Sequence, residues 1–301
     1  MTKTSNGNTT APDACLPWPG ADVTQLSEIE RCGDHEFASR YAIIPETRRI
    51  FGGQVLGQAL AAAEACVPEK YAAHAIHALF LSAGDASRQV RYFVEEMRQG
   101  RSFASRRVRA MQDDLILLEM MVSCHIDETG GINHQSSMPE GIPDPDTLET
   151  FEEYADRTEN VVARTFVNRF PAFVALDIRP CGPLGVVPGE ESRRRFWIRL
   201  RPQLALDDAC VKRSLLAYLS DVWLAGASLA KHHQALGSVY PQMVSLDHSF
   251  WIHHTADPCD WLLFDTDSPF AGNQTGLSRG TLFDRSGRLV ANIAQQALIR
   301  T

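Results

Sequence analysis

The sequence predicts an α+β fold made of two tandem helix-plus-antiparallel-sheet units that share one continuous sheet. Three observations carry this expectation. A helix rich in small apolar residues is followed by four strand-like runs, and the same order of elements then occurs a second time. Each half closes on a polar turn between two long alternating runs, Gln112-Asp113-Asp114 in the first and Asp284-Arg285-Ser286-Gly287 in the second, which is a hairpin signal. Setting His77-Ala78-Leu79-Phe80 over His248-Ser249-Phe250-Trp251 brings the later strands into step at an offset of roughly 172 residues. One helix covers only one face of a sheet and leaves an edge open. Two such units side by side remove that edge.

Taken in order, residues 1–20 are rich in Thr, Asn, Gly and Pro, which leaves little to bury and predicts a mobile tail. The first unit spans 21–126. Its strand over Glu36 to Ile44 precedes the helix Phe51 to Ala63, and strands follow at His77 to Leu81, Val90 to Met97, Phe103 to Gln112 and Leu115 to Ile126. Residues 127–160 form an acidic linker with Gly, Pro and Ser and a short helix near Phe151 to Tyr154. The second unit, 161–301, has a strand over Phe196 to Arg201 and a helix over Ser214 to Leu229, where apolar residues recur at helical spacing. Strands follow at Val244 to His253, Trp261 to Thr266, Gly276 to Phe283 and Leu289 to Arg300.

Composition narrows the function classes. Of 301 residues 44% are hydrophobic and 22% charged, the range of a chain that builds its own core. The net charge is −8, and between Pro139 and Glu159 eight acidic residues stand against the single Arg157. The remainder is close to neutral, which argues against a nucleic-acid partner and leaves room for a local basic patch facing a small anion. No apolar run is long enough for a membrane span, and the N-terminal residues lack the apolar stretch of a signal peptide. A cytoplasmic chain is therefore expected. The C-terminal Leu298-Ile299-Arg300-Thr301 is not a peroxisomal Ser-Lys-Leu signal. Seven scattered cysteines include no C-x-x-C pair, so neither a disulfide framework nor a zinc site is predicted, and no metal or organic cofactor is expected.

Several motifs carry a resemblance. Phe51-Gly52-Gly53-Gln54-Val55-Leu56-Gly57-Gln58-Ala59, His77 to Asp85, Gly100 to Val108, Asp247-His248-Ser249-Phe250-Trp251-Ile252-His253 and Arg279-Gly280-Thr281-Leu282-Phe283 closely resemble the acyl-CoA thioesterase II family. The likeness runs from Leu26 to Arg300. It implies a double hotdog fold and hydrolysis of fatty acyl-CoA to free acid and CoA, with acyl-CoA as the small-molecule partner. A homo-oligomer, a dimer or tetramer of double hotdogs, is also expected. That family holds a water against the thioester carbonyl with an Asp, a Thr or Ser, and a Gln. Carried over position by position, these fall on Asp221, Ser245 and Gln295, with Gln296 adjacent to the last. A carboxylate accepts the proton of water, while a hydroxyl and an amide fix its remaining hydrogen bonds. Gly52, Gly53, Gln54 and Arg106 are the candidates for substrate binding: the glycines as backbone N–H donors at a helix entry, and the arginine as a partner for CoA phosphate.

Plainer readings stand beside these. A non-catalytic acyl-CoA-binding hotdog is the competing class, and Asp221 separates the two, because a buried carboxylate costs a binder stability without return. Glycines in a helix serve close packing, Ser245 and Gln295 alone would be ordinary strand residues, and adjacent arginines alternate across a strand into solvent. His232-His233 and His253-His254 lack metal-site spacing. Gly276-Leu277-Ser278-Arg279-Gly280 matches the serine-hydrolase nucleophile elbow, yet no His follows it, so the required order of triad residues fails. Laying Gly53–Ala63 over Ala217–Ala227 sets Gly57 against Asp221, and the register of His77 over His248 sets His74 against Ser245 and Ser123 near Gln295. On that register the first half has no carboxylate, and one active site per chain is expected.

Overall fold

The computed structural model describes residues 14–159, 161–187, 189–201, 206–232 and 241–300. The first unit contains β1 (Leu16–Pro17), β2 (Ile29–Gly33), β3 (Glu36–Ser39), β4 (Tyr41–Ala42), α1 (Gly52–Glu64), β5 (Tyr71–Phe80), β6 (Arg91–Gln99), β7 (Phe103–Gln112) and β8 (Leu115–Ile126). A connecting stretch holds α2 (Phe151–Thr158) and α3 (Val161–Arg169). The second unit contains β9 (Leu176–Pro180), β10 (Val186–Val187), β11 (Glu190–Leu200), α4 (Ala209–Ser220), α5 (Ala227–Ala230), β12 (Gln242–Ser245), β13 (Asp247–Ile252), β14 (Leu262–Gly272), β15 (Thr275–Asp284) and β16 (Leu289–Arg300).

Among the described residues one sheet of 14 strands runs in the order β10-β11-β14-β15-β16-β13-β5-β8-β7-β6-β3-β2 with β12 on β16 and β9 on β11. The two units join where β13 pairs antiparallel with β5, Ser249 opposite His77. Alternation explains which side is covered: in β8 Leu118, Met120, Val122 and Cys124 are buried while Met121 is exposed. The buried side wraps α1 and α4, which lie against each other. This is the α+β double hotdog.

Glycine sets how close those helices come. A Cβ at Gly53 would stand 2.4 Å from the Tyr218 carbonyl oxygen, and one at Gly57 2.6 Å from that of Ser214; neither fits without moving backbone.

Several local expectations need correction. The second helix begins at Ala209, where Asp208 caps the N–H groups of Cys210 and Val211, and it ends at Ser220 with Asp221 as its C-cap. The run to Leu229 is broken because Trp223 adopts φ 59°, a left-handed conformation that interrupts the helical hydrogen bonds. The strand expected over Val244 to His253 is split at Leu246 into β12 and β13. Chain order begins earlier than Ala21: Leu16 pairs with Tyr41 and Cys15 is buried. Residues 1–13 of the expected tail, and residue 160 of the linker, lie outside the described residues. The linker is docked rather than loose. Met138, Ile142 and Leu148 pack on Trp197 and Trp261, the Trp197 indole donates to the Pro143 carbonyl at 2.8 Å, and Arg285 pairs with Asp144 and Asp146. Thr150 and Glu153 form a capping box that starts α2.

Candidate active site

The C-terminal end of α4 meets the N-terminal turn of α1. Phe51 precedes α1 without any side-chain cap, which leaves first-turn N–H groups without helical acceptors. Asp221 answers them: its carboxylate accepts from the Gly53 backbone N–H. Gly52 lies so close that a Cβ there would stand 2.8 Å from Asp221 Oδ2. Gly52 and Gly53 thus both lie against Asp221.

Two strands complete the cluster. Gln295 of β16 donates through Nε2 to Asp221 Oδ1 at 2.6 Å and to Ser245 Oγ at 2.7 Å, and Ser245 donates to the same Oδ1 at 3.5 Å. The Gln295/Gln296 ambiguity is resolved by alternation: Gln295 is 1% exposed and faces the helices, whereas Gln296 meets Asp247 through its backbone N–H. Burial pushes the Asp221 carboxyl up to about 7, against the lowering effect of the bonds from Gln295, Gly53 and Ser245. All three donors are neutral. A carboxyl so placed exchanges its proton near neutral pH, which suits a general base.

Next to Asp221 lies His248, fully buried and held neutral by burial, which lowers it to about 3. Ser220 donates to the Ala217 carbonyl at 2.8 Å and lies 2.8 Å from His248 Nε2. With the serine proton committed, the imidazole donates through Nε2, and the pair fixes the last turn of α4 just before Asp221. In the sequence His248 marks the register and belongs to a family-like motif, but its burial is not legible there.

A cavity of about 550 Å³ opens on the cluster. Thr47, Arg49 and Ser82 line its polar side, while Phe166, Phe170, Trp223 and Met243 line its apolar side.

Gln54 and Arg106 are not part of this cavity. Gln54 Nε2 donates to the Tyr41 carbonyl at 2.8 Å and is buried against β4. Arg106 is 1% exposed and its donors are taken by the carbonyls of Cys66, Arg98 and Ser105 and by Gln99 and Glu96. Both are structural, because a buried guanidinium or amide must be satisfied locally. In the Arg193-Arg194-Arg195 run, the outer two pair with Asp265 while Arg194 turns inward. Ser278 of the elbow-like motif lies within β15, buried and bonded to Ser228 at 2.9 Å, with strand rather than helix after it. Among the described residues no group of His, Cys, Asp and Glu could hold a metal ion; His233 lies outside them.

The internal register also changes. In β5, Ala73 pairs with Cys124 and one residue, His74, is skipped before Ala75. In the second unit Ser245 pairs with Ala297 and Leu246 is skipped. Ser245 therefore corresponds to Ala73, not His74, and Gln295 to Val122, not Ser123. The helices end at Glu64 and Ser220, which sets Asp221 against Ala65 rather than Gly57, with Glu64 one residue earlier as the carboxylate at that helix end. The first half does carry a carboxylate.

Known proteins resemble this chain over most of its length. Residues 44–125 match the family model of the acyl-CoA thioesterase N-terminal domain, and residues 143–299 that of the C-terminal domain. The chain is 33% identical over 286 residues to acyl-coenzyme A thioesterase 8 of Mus musculus, covering 92% of this chain and 88% of that one. It is 30% identical over 256 residues to acyl-CoA thioesterase 2 of Haemophilus influenzae, with 84% and 88% covered. An acyl-CoA thioesterase II from Mycobacterium marinum has a similar solved structure, with TM-score 0.76 at 32% identity over 93% of this chain and 98% of that one.

Proposed function

The chain belongs to the acyl-CoA thioesterase II family and is a thioesterase, and on that premise we propose that it hydrolyses fatty acyl-CoA by direct attack of water, with Asp221 as general base and Ser245 and Gln295 positioning that water. The observation that carries this reading is the buried Asp221 carboxyl, raised to about 7 and held only by neutral donors at the wall of the cavity.

The chemistry follows from the donors. Ionised Asp221 takes a proton from water as the oxygen attacks the thioester carbonyl carbon. The carbonyl oxygen becomes an oxyanion, and the Gly52 N–H in the first turn of α1 is a donor for it, the Gly53 N–H being already engaged by Asp221. On collapse the C–S bond breaks and the proton held by Asp221 goes to the leaving sulfur, which regenerates the carboxylate and gives free acid and CoA. Water is consumed once, and no covalent enzyme intermediate is formed. The polar side of the cavity suits the CoA moiety, with exposed Arg49 in place of Arg106 as the phosphate partner; the aromatic side suits the acyl chain.

The non-catalytic binding alternative is disfavoured by the same carboxyl, which gains no cation and raises the cost of burial. The reading includes the cytoplasm as compartment, in keeping with seven free cysteines. No helix among the described residues is long and apolar enough to cross a membrane. It also includes self-association, supported by exposed Leu79, Met121 and Trp251 on the outward side of the central strands. The test is thiol release followed with a thiol-reactive dye over a panel of acyl-CoAs. Turnover in the presence of chelators and serine-directed phosphonates supports it; the absence of thiol release with every acyl length would refute it.

A further inference from the structure

The apolar side of the cavity ends on an unusual wall. Trp223 lies two residues beyond Asp221, is 8% exposed and adopts φ 59°, a left-handed conformation that is unfavourable for a bulky residue and persists only when its surroundings impose it. The surroundings here are a sandwich. The Arg194 guanidinium lies over the indole at 3.7 Å from its centroid, and its Nε and Nη2 donate to the Leu184 carbonyl at 3.0 and 2.9 Å. Phe166 stacks on the indole at 5.1 Å, and Phe151 meets it edge-on at 4.6 Å. Gly226 makes room: a Cβ there would stand 2.6 Å from Arg194 Nη1 and 2.8 Å from Trp223 Cδ1.

Behind this wall is a second, smaller cavity of about 40 Å³, lined by Phe151, Leu184, Val186, Leu229 and Ala230. Trp223, Phe166, Gly226 and Met243 line both spaces. The indole is the largest of these shared groups, and its backbone is anchored next to the reacting centre.

We propose that Trp223, clamped by Arg194, is the stop of the acyl channel and sets the longest acyl chain the site accepts. This rests on the reading of the large cavity as the acyl-CoA site and names the residue that decides its substrate range. A rigid stop of this kind acts on length rather than on chemistry: carbons short of it add contact, and carbons beyond it must be accommodated outside. One methylene in an apolar pocket changes kcat/KM by about tenfold or more, so a stop should give a sharp edge in the length profile.

Two measurements test it. The first is binding of non-hydrolysable thioether analogues with straight acyl chains of increasing length, followed by calorimetry on the full chain. In the unaltered protein affinity is expected to rise with length and then break at one length; in Trp223→Leu the break is expected to move to longer chains, with affinity there up by about tenfold. Adding Leu229→Phe, which fills the space behind the wall, is expected to move the break back. The second is the ratio of kcat/KM for long and short acyl-CoAs in the same variants. An unchanged break in Trp223→Leu, or an equal loss at all lengths, overturns the proposal, as does a protein whose affinity has no break. If no acyl-CoA is hydrolysed but the break exists and moves, the hydrolytic reading fails and the stop stands. Should Trp223→Leu not fold, Met243→Trp narrows the passage from the opposite side and is expected to move the break to shorter chains; no movement there counts against the proposal equally.

Discussion

Asp221 and Glu64 both stand at the C-terminal ends of the two central helices, Glu64 as the last residue of α1 and Asp221 one residue past α4, and they have opposite fates. Asp221 takes its bonds from Gln295, Ser245 and the Gly53 N–H, all neutral, and burial pushes it to about 7. Glu64 accepts from Arg213 Nε at 2.6 Å and from the Ala73 N–H at 2.8 Å. Where the second unit supplies a hydroxyl and an amide, the first supplies Ala73 and Val122, which offer no side-chain donor. The same helix end therefore holds a carboxyl met only by neutral donors in one unit and an ion pair tying α1 to α4 in the other. Duplication provides two carboxylates; the groups that face each decide whether it is ion-paired.

The comparison is broken most directly by removing each charge. Asp221→Asn should lower kcat by about 10² to 10⁴ fold with substrate still bound, while Glu64→Gln should leave kcat within about threefold. Steady-state thiol release on both variants decides it, and a larger loss from Glu64→Gln would place the chemistry in the wrong unit. One equivalent of a tight acyl-CoA analogue per chain is expected for the same reason.

Stability should change in the reverse sense. The Glu64 and Arg213 side chains are only 4% and 11% exposed, and removing one partner of such a pair costs about 3–5 kcal/mol. Urea unfolding of Glu64→Gln should show this; a shift under 1 kcal/mol would mean that Arg213 finds another acceptor.

Asp221→Asn should instead stabilise the fold at alkaline pH. The folded carboxyl lies near 7 against about 3.9 unfolded, so between those values the folded state holds a proton that the unfolded chain has lost. Its contribution is complete below about pH 4 and disappears as pH rises through about 7. The asparagine variant should exceed wild type at pH 8 by up to about 4 kcal/mol, and the gap should close toward pH 5. Melting curves at both values check the sign.

Gly52→Ala places a methyl group against Oδ2 and should reduce kcat by about ten- to a hundredfold through misplacement of the base, whereas Gly57→Ala should lower the melting temperature through the Ser214 carbonyl. Equal effects on kcat would remove the distinction between site glycine and packing glycine. In wild type, kcat/KM should fall about tenfold per unit below pH 7 and level off above it. A flat profile from pH 5 to 9 would leave Asp221 without the role of base.

The sequence by itself determined the duplicated architecture, because strand alternation and hairpin turns are local and recur in both halves. Asp221, Ser245 and Gln295 came forward only through the resemblance to the acyl-CoA thioesterase II family; the tertiary structure places the three within hydrogen-bond reach. Arg106 and Gln54 were misread because an exposed-looking polar residue on a strand or helix reveals nothing about the carbonyls that will surround it. Glu64 was passed over for a related reason. Matching helices by sequence put Gly57 opposite Asp221, but the correspondence is fixed by where each helix stops and by the residue skipped at His74 and Leu246, which are properties of the paired sheet. The wall at Trp223 is the clearest case: its backbone turn, its stack on Arg194 and the space behind it exist only once α2, α3 and β11 have closed around the end of α4. Local periodicity specifies which elements form, whereas the electrostatics of a buried group depends on neighbours distant in sequence that only packing brings together.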